Sequence, residues 1–448
     1  MEFKIFFSNR STVYGVLILL FSGLFALYLG KTFIAQQQTV IEKAIRLQPE
    51  NTARNRQYFG KELGTLMYHN KFTMIHQPDP WAAFSNGQRD IYPYQLSVSM
   101  LGLQGQLYDT DLHNPVTLLL GNIDLAFVFI FLFPLVIIAF TYNLLSAEQE
   151  SGTWRLIGAQ AIHPWQVIGR RLLVSITTIF AVAALLMIVA VVYLQLPPDI
   201  RLWRVSGMVG LYLLSWFALA TWIISMGKSS DFNAAALIAC WVVLQMVAPA
   251  ILNVWVTWKY PVPEALETVV KQREGYHEKW DLDKKSTMDK FYAHYPQFKK
   301  YPFPEGQTFS WYWYYAMQQM GDDEAAQGVA GMSAKLQQRQ QFTDIATLLL
   351  PGIQTSLRLN ETAGTDLQQH LRFLKAVAAY HEEVRLYFYP LLFTGVSSQQ
   401  VDWNRFKVAQ FKETADDKGG LQLLSAGIFI VLFAGGALYN YRHRTYHF

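Results

Sequence analysis

Two fragments carry the residue types that end a phosphate-cradling loop, Gly30-Lys31-Thr32 and Gly227-Lys228-Ser229. Such a loop also needs a glycine five places before the Gly-Lys pair and a strand leading into it. Phe25 and Trp222 stand at those places, and both fragments close apolar runs. Any ATP must therefore be hydrolysed by another subunit. The ten histidines do not take metal-site spacing. His370 and His381 lie on one predicted helix, which roughly aligns their faces without making a ligand pair. His443 and His447 near the end of the sequence could bind adventitious metal. Glu382 and Glu383 follow His381, but no second histidine completes a zinc-protease motif. The lone cysteine, Cys240, excludes an intramolecular disulfide framework and a thiolate metal cluster. The expectation is a chain with no catalytic residues, no metal and no cofactor of its own, and not an enzyme.

What remains is chemistry that depends on a membrane. The 448 residues are 52% hydrophobic and 16% charged, against about 25% charged in soluble domains. The charges crowd into roughly 31–116 and 257–420 and nearly vanish elsewhere. Six apolar runs, at about 13–29, 118–142, 171–196, 206–226, 232–256 and 421–438, reach or nearly reach the ~20 residues that cross a bilayer. The first run follows Lys4 and Arg10, as a signal peptide would. No small-residue cleavage site follows, and the run passes into KTFIAQQQTVIEKA, so it is taken as an uncleaved anchor. The predicted fold class is an all-α polytopic membrane protein, with six transmembrane helices and two mostly helical extracytoplasmic lobes that pack on one another. The predicted layout is a tail and first span over 1–30 and a first lobe over 31–116. Spans two to five follow over 117–256, a second lobe over 257–420, and the last span and tail over 421–448.

The Lys/Arg bias sets the orientation. Lys4, Arg10, Arg155, Arg170, Arg171, Lys228, Arg442 and Arg444 fall in the short segments on one side, while the short loop near 197–205 has only Arg201 and Arg204. Both termini are therefore expected in the cytoplasm and both lobes outside, in a bacterial plasma (inner) membrane. The net charge of +4 does not argue for nucleic acid. Asp124, near the outer end of the second run, is a candidate intramembrane polar site, since a carboxylate in a span tends to face protein or a watery cavity. Contact with headgroups is the plainer alternative. Apart from Asp124 the spans offer almost no convergent polar residues, which counts against an enzyme acting on lipid within the membrane.

The lobes give weaker signals. A helix is expected over Phe33–Leu47, then irregular structure with a short helix around Gln95–Leu101. The aromatic run SWYWYYAMQQ must be taken by a core or an interface, and a long helix is expected from about Leu367 to Tyr389. The connection between spans two and three, 143–169, is better defined. Gly152 and Thr153 can break the descending helix and start a short one, with Thr153 as a candidate N-cap. Trp154, Ile157 and Ala161 recur at helical spacing. Pro164 suits the start of the next helix, and Arg170 and Arg171 meet the inner headgroups. A compact element held between two spans can pass a push from a cytoplasmic partner into the membrane.

This connection resembles the coupling region of type-2 (ABC-2) ABC transporter permeases, in the branch related to copper-enzyme maturation and gliding motility. The matching residues are Glu148 and Glu150, Gly152 and Thr153, Leu156, Pro164, and Gly169 with Arg170, while His163 stands where a small hydroxyl residue is common. A second resemblance lies in Leu350-Pro351 and in Glu361-Thr362-Ala363-Gly364-Thr365-Asp366-Leu367, followed by His370, Phe373 and Tyr380. It is similar to a pattern of a permease subfamily with large outer insertions, with Pro351, Gly364, Thr365 and Asp366 as the motif residues. The resemblance implies a cytoplasmic ABC ATPase, holding ATP and Mg, docked at Glu148, Glu150, Gly152, Thr153, Trp154, Ile157, Pro164 and Arg170. It also implies a second permease subunit, the same chain or a sister chain. The outer lobes would contact a substrate, membrane lipid or a periplasmic partner. The rival is a non-transporting anchor that organises an envelope complex through those lobes.

Overall fold

Asn9 separates α1 (Glu2–Ser8) from α2 (Arg10–Phe59) and caps the second by accepting the Ser11 N–H at 3.0 Å. Fifty residues at about 1.5 Å each make a rod of about 75 Å, more than twice the ~30 Å hydrocarbon layer. α2 thus carries the first span far beyond the membrane, past the expected end near Leu47 and through Pro49. Tertiary contacts hold it there. The Gln48 side chain accepts the Thr73 N–H at 2.7 Å and donates to the Phe406 carbonyl at 3.1 Å. The structure, a computed structural model, describes residues 2–108, 123–160, 165–262, 270–271, 273–274, 277–301, 303, 306, 308–412 and 424–443.

After α2 the chain forms α3 (Leu63–His69), β1 (Phe72–His76), β2 (Gln95–Val98) and α4 (Leu103–Tyr108). The second span opens with α5 (Leu125–Phe127), loosens into a π-helical turn at Val128–Leu132 and continues as α6 (Phe133–Thr141). α7 (Ser146–Glu150) and α8 (Thr153–Gln160) form the connection, and α9 (Trp165–Leu194) and α10 (Ile200–Ile224) are the next two spans. The fifth span is α11 (Ser230–Val242), a second π-helical turn at Val243–Val247, and α12 (Ala248–Lys259). Among the described residues, five stretches are long and apolar enough to cross a membrane. The expected sixth is shorter, with its apolar part at Ser425–Tyr441.

The remaining elements are α13 (Lys284–His294), α14 (Trp311–Ala346), α15 (Pro351–Ala363), α16 (Leu367–Phe393), β3 (Ala409–Phe411) and α17 (Leu424–His443). α17 runs along α10. The Trp222 ring covers Gly436, and Asn440 Nδ2 donates to Ser225 Oγ at 2.9 Å. Exposed Tyr28, Tyr193, Trp203, Trp255 and Trp258 gather at one end of the spans, as aromatic side chains do at a membrane surface.

Beyond that end the two polar stretches build one head with a common core. β1 pairs antiparallel with β2 (Phe72 opposite Val98) and parallel with β3 (Met74 opposite Ala409), in the order β2-β1-β3. The short helix expected around Gln95–Leu101 is thus corrected to a strand, because β1 offers a ladder that the isolated segment lacks. Tyr312, Trp313, Tyr314 and Tyr315 at the start of α14 are buried against Leu66 and Met67 of α3 and Phe388 and Tyr389 of α16. One buried ion pair locks this core. The Asp322 carboxylate accepts the Leu103 N–H at 2.8 Å and meets Arg385 Nη2 at 2.9 Å.

Candidate coupling site and its connection to the head

At the end away from the head, α7 and α8 turn through Gly152, whose φ of +74° suits glycine. Thr153 is the first residue of α8, and its hydroxyl turns back to the Glu148 carboxylate. Arg171 of α9 donates to Glu148 at 2.6 Å, with Glu2 of α1 at 3.8 Å on its other side. The ion pair is made by Arg171, while Arg170 points to the surface. Glu150 reaches the start of the fifth span, accepting the Ser230 N–H at 2.7 Å and the Ser230 hydroxyl at 2.9 Å. A carboxylate on a helix N-terminus is favourable for hydrogen bonding and for the helix dipole. Ser146 Oγ lies 2.8 Å from Ser230 Oγ, and Asn233 donates to the Tyr142 carbonyl at 3.1 Å. Trp154 is buried in the core between the spans, with Ile157 packed at its edge and Leu156 exposed. Pro164 and Ala161 lie outside the described residues. The two glutamates therefore tie one short element to α9 and to α11.

At the head end, Asp79 to Asp90 forms a collar that sequence reading treats as irregular. Its first short 3-10 turn, Pro80–Ala83, buries Trp81, Ala82 and Ala83 in the core of the spans with Phe84 beside them, and its second, Gly87–Asp90, buries Arg89. Asp79 meets Arg201 at the start of α10 at 2.8 Å. Asp124 caps α5, taking the Phe127 N–H at 2.7 Å on one oxygen and the Asn86 N–H of the collar at 2.7 Å on the other. Its carboxylate therefore serves two backbone donors at a span entrance. Lys31 of the loop-like Gly-Lys-Thr fragment donates to the Tyr193 carbonyl at 2.9 Å, which joins α2 to α9.

The second sequence motif grips the same collar. Gly364 ends α15 in the left-handed conformation, φ +65°, and Asp366 caps α16 through the Gln368 N–H at 3.1 Å. Burial raises the Asp366 carboxyl above the ordinary range, and nearby Glu361 adds to this. Thr365 donates its hydroxyl to the Ser85 carbonyl at 3.0 Å and accepts the Gln88 N–H on its own carbonyl at 2.9 Å. Pro351 is the first residue of α15, which wedges between the head and the spans. Gln354 accepts the Ser425 N–H of α17 at 3.0 Å.

Sequence reading missed a polar chain inside the membrane. Tyr212 of α10 donates to the Ile130 carbonyl in the first π turn at 2.7 Å. Gln245 in the second π turn donates to the Tyr212 hydroxyl at 2.6 Å. Trp241 donates to the Phe131 carbonyl at 3.2 Å. A π turn leaves carbonyls without their usual helical donors, and these side chains supply replacements. Gln245 also lies against Gly352 of α15, where a Cβ would stand 2.5 Å from its amide oxygen. Glutamine amid 230–259 was the one legible signal, since a polar amide in a span needs a partner.

These features define a polytopic membrane protein with a helical head keyed to its spans. Residues 1–301 match the family model described as ABC-2 family transporter protein, and the chain belongs to that family. It is accordingly a permease component of an ABC transporter. Residues 265–412 match a domain of unknown function, DUF3526, which covers most of the second part of the head. No curated protein and no solved structure matches the chain.

Proposed function

We propose that this chain is the subunit through which a separate cytoplasmic ABC ATPase, binding ATP and Mg, drives movement of a substrate at a bacterial plasma membrane. In this reading 143–169 and both termini are cytoplasmic and the head is outside. The ATPase presses on the exposed side of the Gly152 turn, α8 and the start of α9, where Leu156 and Arg170 stand free of the core. The observation that carries the reading is the double clamp, Glu148 to Arg171 and Glu150 to Ser230. It makes one small element the common fixture of two spans, so a displacement there moves both. Most of the α11–α12 surface is left for lipid or for a second permease, the same chain or a sister, because few of its side chains are buried.

The test is ATP turnover by the co-purified complex in lipid nanodiscs. Glu150→Ala is expected to keep the ATPase bound and to lower permease-dependent turnover severalfold. Unchanged turnover, or failure to recover any ATPase from mild detergent with the folded chain, would favour a static anchor instead.

A further inference from the structure

Arg89 is buried in the head without a counter-charge. It is 6% exposed. Its Nε donates to Gln37 Oε1 at 2.8 Å and its Nη2 to the His76 carbonyl at 2.6 Å, both neutral acceptors. The other buried arginine among the described residues, Arg385, is paired, meeting Asp322 at 2.9 Å. Half-buried Arg358 also has carboxylates, Glu361 at 2.6 Å and Asp344 at 3.1 Å. No carboxylate among the described residues pairs with Arg89. A guanidinium held out of water in this way is costly, and burial pulls its pKa down to about 10.

Arg89 lies on the wall of a cavity of about 490 Å³ between α2 and the segment 89–96, a size within the ~300–1,000 Å³ of small-molecule sites. Phe33, Val40, Leu96 and Leu107 give it an apolar lining, and Tyr92 and Tyr94 flank the guanidinium. Gln95, also on the wall, has its amide oxygen buried without a hydrogen-bond donor. Phe33 stands on α2 only about 6 Å beyond Leu29, the end of the apolar run. The cavity therefore begins in the layer where lipid headgroups lie.

We propose that this cavity binds a lipid-like amphiphile with one negative charge on its head, either a phosphodiester or a fatty carboxylate. Arg89 takes the anionic group, and the tail lies along Phe33, Val40 and Leu107. Asp90 lines the same cavity, so a second negative charge on the head would lie near a carboxylate.

The test measures binding to the full chain in a neutral detergent at pH 7, with radiolabelled oleate, lysophosphatidylglycerol and neutral monoolein as probes. At least one anionic probe is expected to saturate at one per chain, more tightly than monoolein, and to lose at least tenfold in affinity in Arg89→Gln. Oleate alone would identify a carboxylate ligand, lysophosphatidylglycerol alone a phosphodiester, and both the shared anion. No saturable binding, equal binding of monoolein, or unchanged affinity in Arg89→Gln would overturn the proposal. Should Arg89→Gln fail to fold, Val40→Trp decides, since it narrows the part of the cavity assigned to the tail and keeps Arg89. Loss of the anionic probe in the folded Val40→Trp chain supports the site, and undiminished binding refutes it. ATP turnover is not read, so the outcome is independent of the coupling proposal.

Discussion

Gly30 stands where α2 passes closest to the collar, and replacing it gives a sharp test of how the head is seated. A Cβ on Gly30 would lie 2.0 Å from the Ala83 carbonyl oxygen, whereas real Cβ atoms do not approach nearer than 3.0 Å. Two backbones must therefore separate by about 1 Å. The obstacle is main chain in a 3-10 turn anchored by buried Trp81 and Phe84, so it cannot rotate away. Overpacking costs about 1–3 kcal/mol, and the upper figure applies to backbone against backbone. Alanine recovers roughly 1 kcal/mol through its helix propensity. Gly30→Ala is thus expected to destabilise by about 2 kcal/mol. Gly207 has nothing within 4 Å, so Gly207→Ala should stabilise by up to about 1 kcal/mol. Gly23 meets the buried Leu186 side chain rather than backbone and should fall between. Heating in detergent followed by fluorescence-detected size exclusion should give midpoints in the order Gly207→Ala, wild type, Gly23→Ala, Gly30→Ala. A Gly30→Ala midpoint at or above wild type would refute the close seating of the collar on α2.

Tyr212→Phe leaves the Gln245 amide and the Ile130 carbonyl without a partner, a loss of about 1–3 kcal/mol, checked by the same heating assay. Removing one side of the buried Asp322–Arg385 pair costs about 3–5 kcal/mol, so Arg385→Gln should sharply increase proteolysis of the head while Arg405→Gln, on an exposed pair, should not. Burial, with Arg89 and His370 adding to it, pushes the His76 pKa down to about 3, and burial pushes His370 down to about 4. Both values lie below the unfolded value of 6.5. Their contribution to stability is therefore fully present above about pH 6.5 and is lost as pH falls toward 4 and 3, at most about 5 kcal/mol for His76 and about 3 kcal/mol for His370. Burial raises the Asp322 and Asp366 carboxyls, which works in the opposite direction. The double variant His76→Gln, His370→Gln should therefore show a flatter stability profile between pH 6.5 and 4 than wild type, and an identical slope would contradict this reading.

The spans were legible in the sequence because a bilayer imposes length and apolarity on contiguous residues, so 13–29, 171–196 and 206–226 could be read locally. The turn at Gly152 and the short helix after it were legible because their Gly, Thr and charged residues lie within one short stretch. The collar was not. Its meaning comes from Asp124, Thr365 and Arg201, which are distant in sequence, and PDPWAAFSNGQRD by itself has only turn chemistry. The sheet was hidden for the same reason, since β3 joins β1 from more than three hundred residues away. Asp124 was noticed through its charge and apparent depth, yet two backbone N–H groups at the helix start account for both oxygens. The polar chain was passed over because Tyr212 and Gln245 are one residue each on two spans, and only packing brings them together.

The same contacts suggest how a push at the coupling turn can reach the head without a soluble linker. Glu150 holds the first residue of α11, and from Ser230 to Gln245 the fifth span is continuous helix, about 22 Å of it. A helix of that length moves nearly as a rod, so axial displacement at Ser230 arrives at Gln245 little diminished. There the π turn replaces the regular ladder, and the amide holds Tyr212 while lying against Gly352. Because Gly352 has no side chain to yield, motion of Gln245 bears on the α15 backbone itself. α15 in turn holds α17 through Gln354 and ends in the turn that grips the collar. The collar grips α2, α5 and α10 together, so the head can follow the spans only as one body. In the proposed cycle, movement of the spans on one side is therefore converted into a tilt of the whole head on the other.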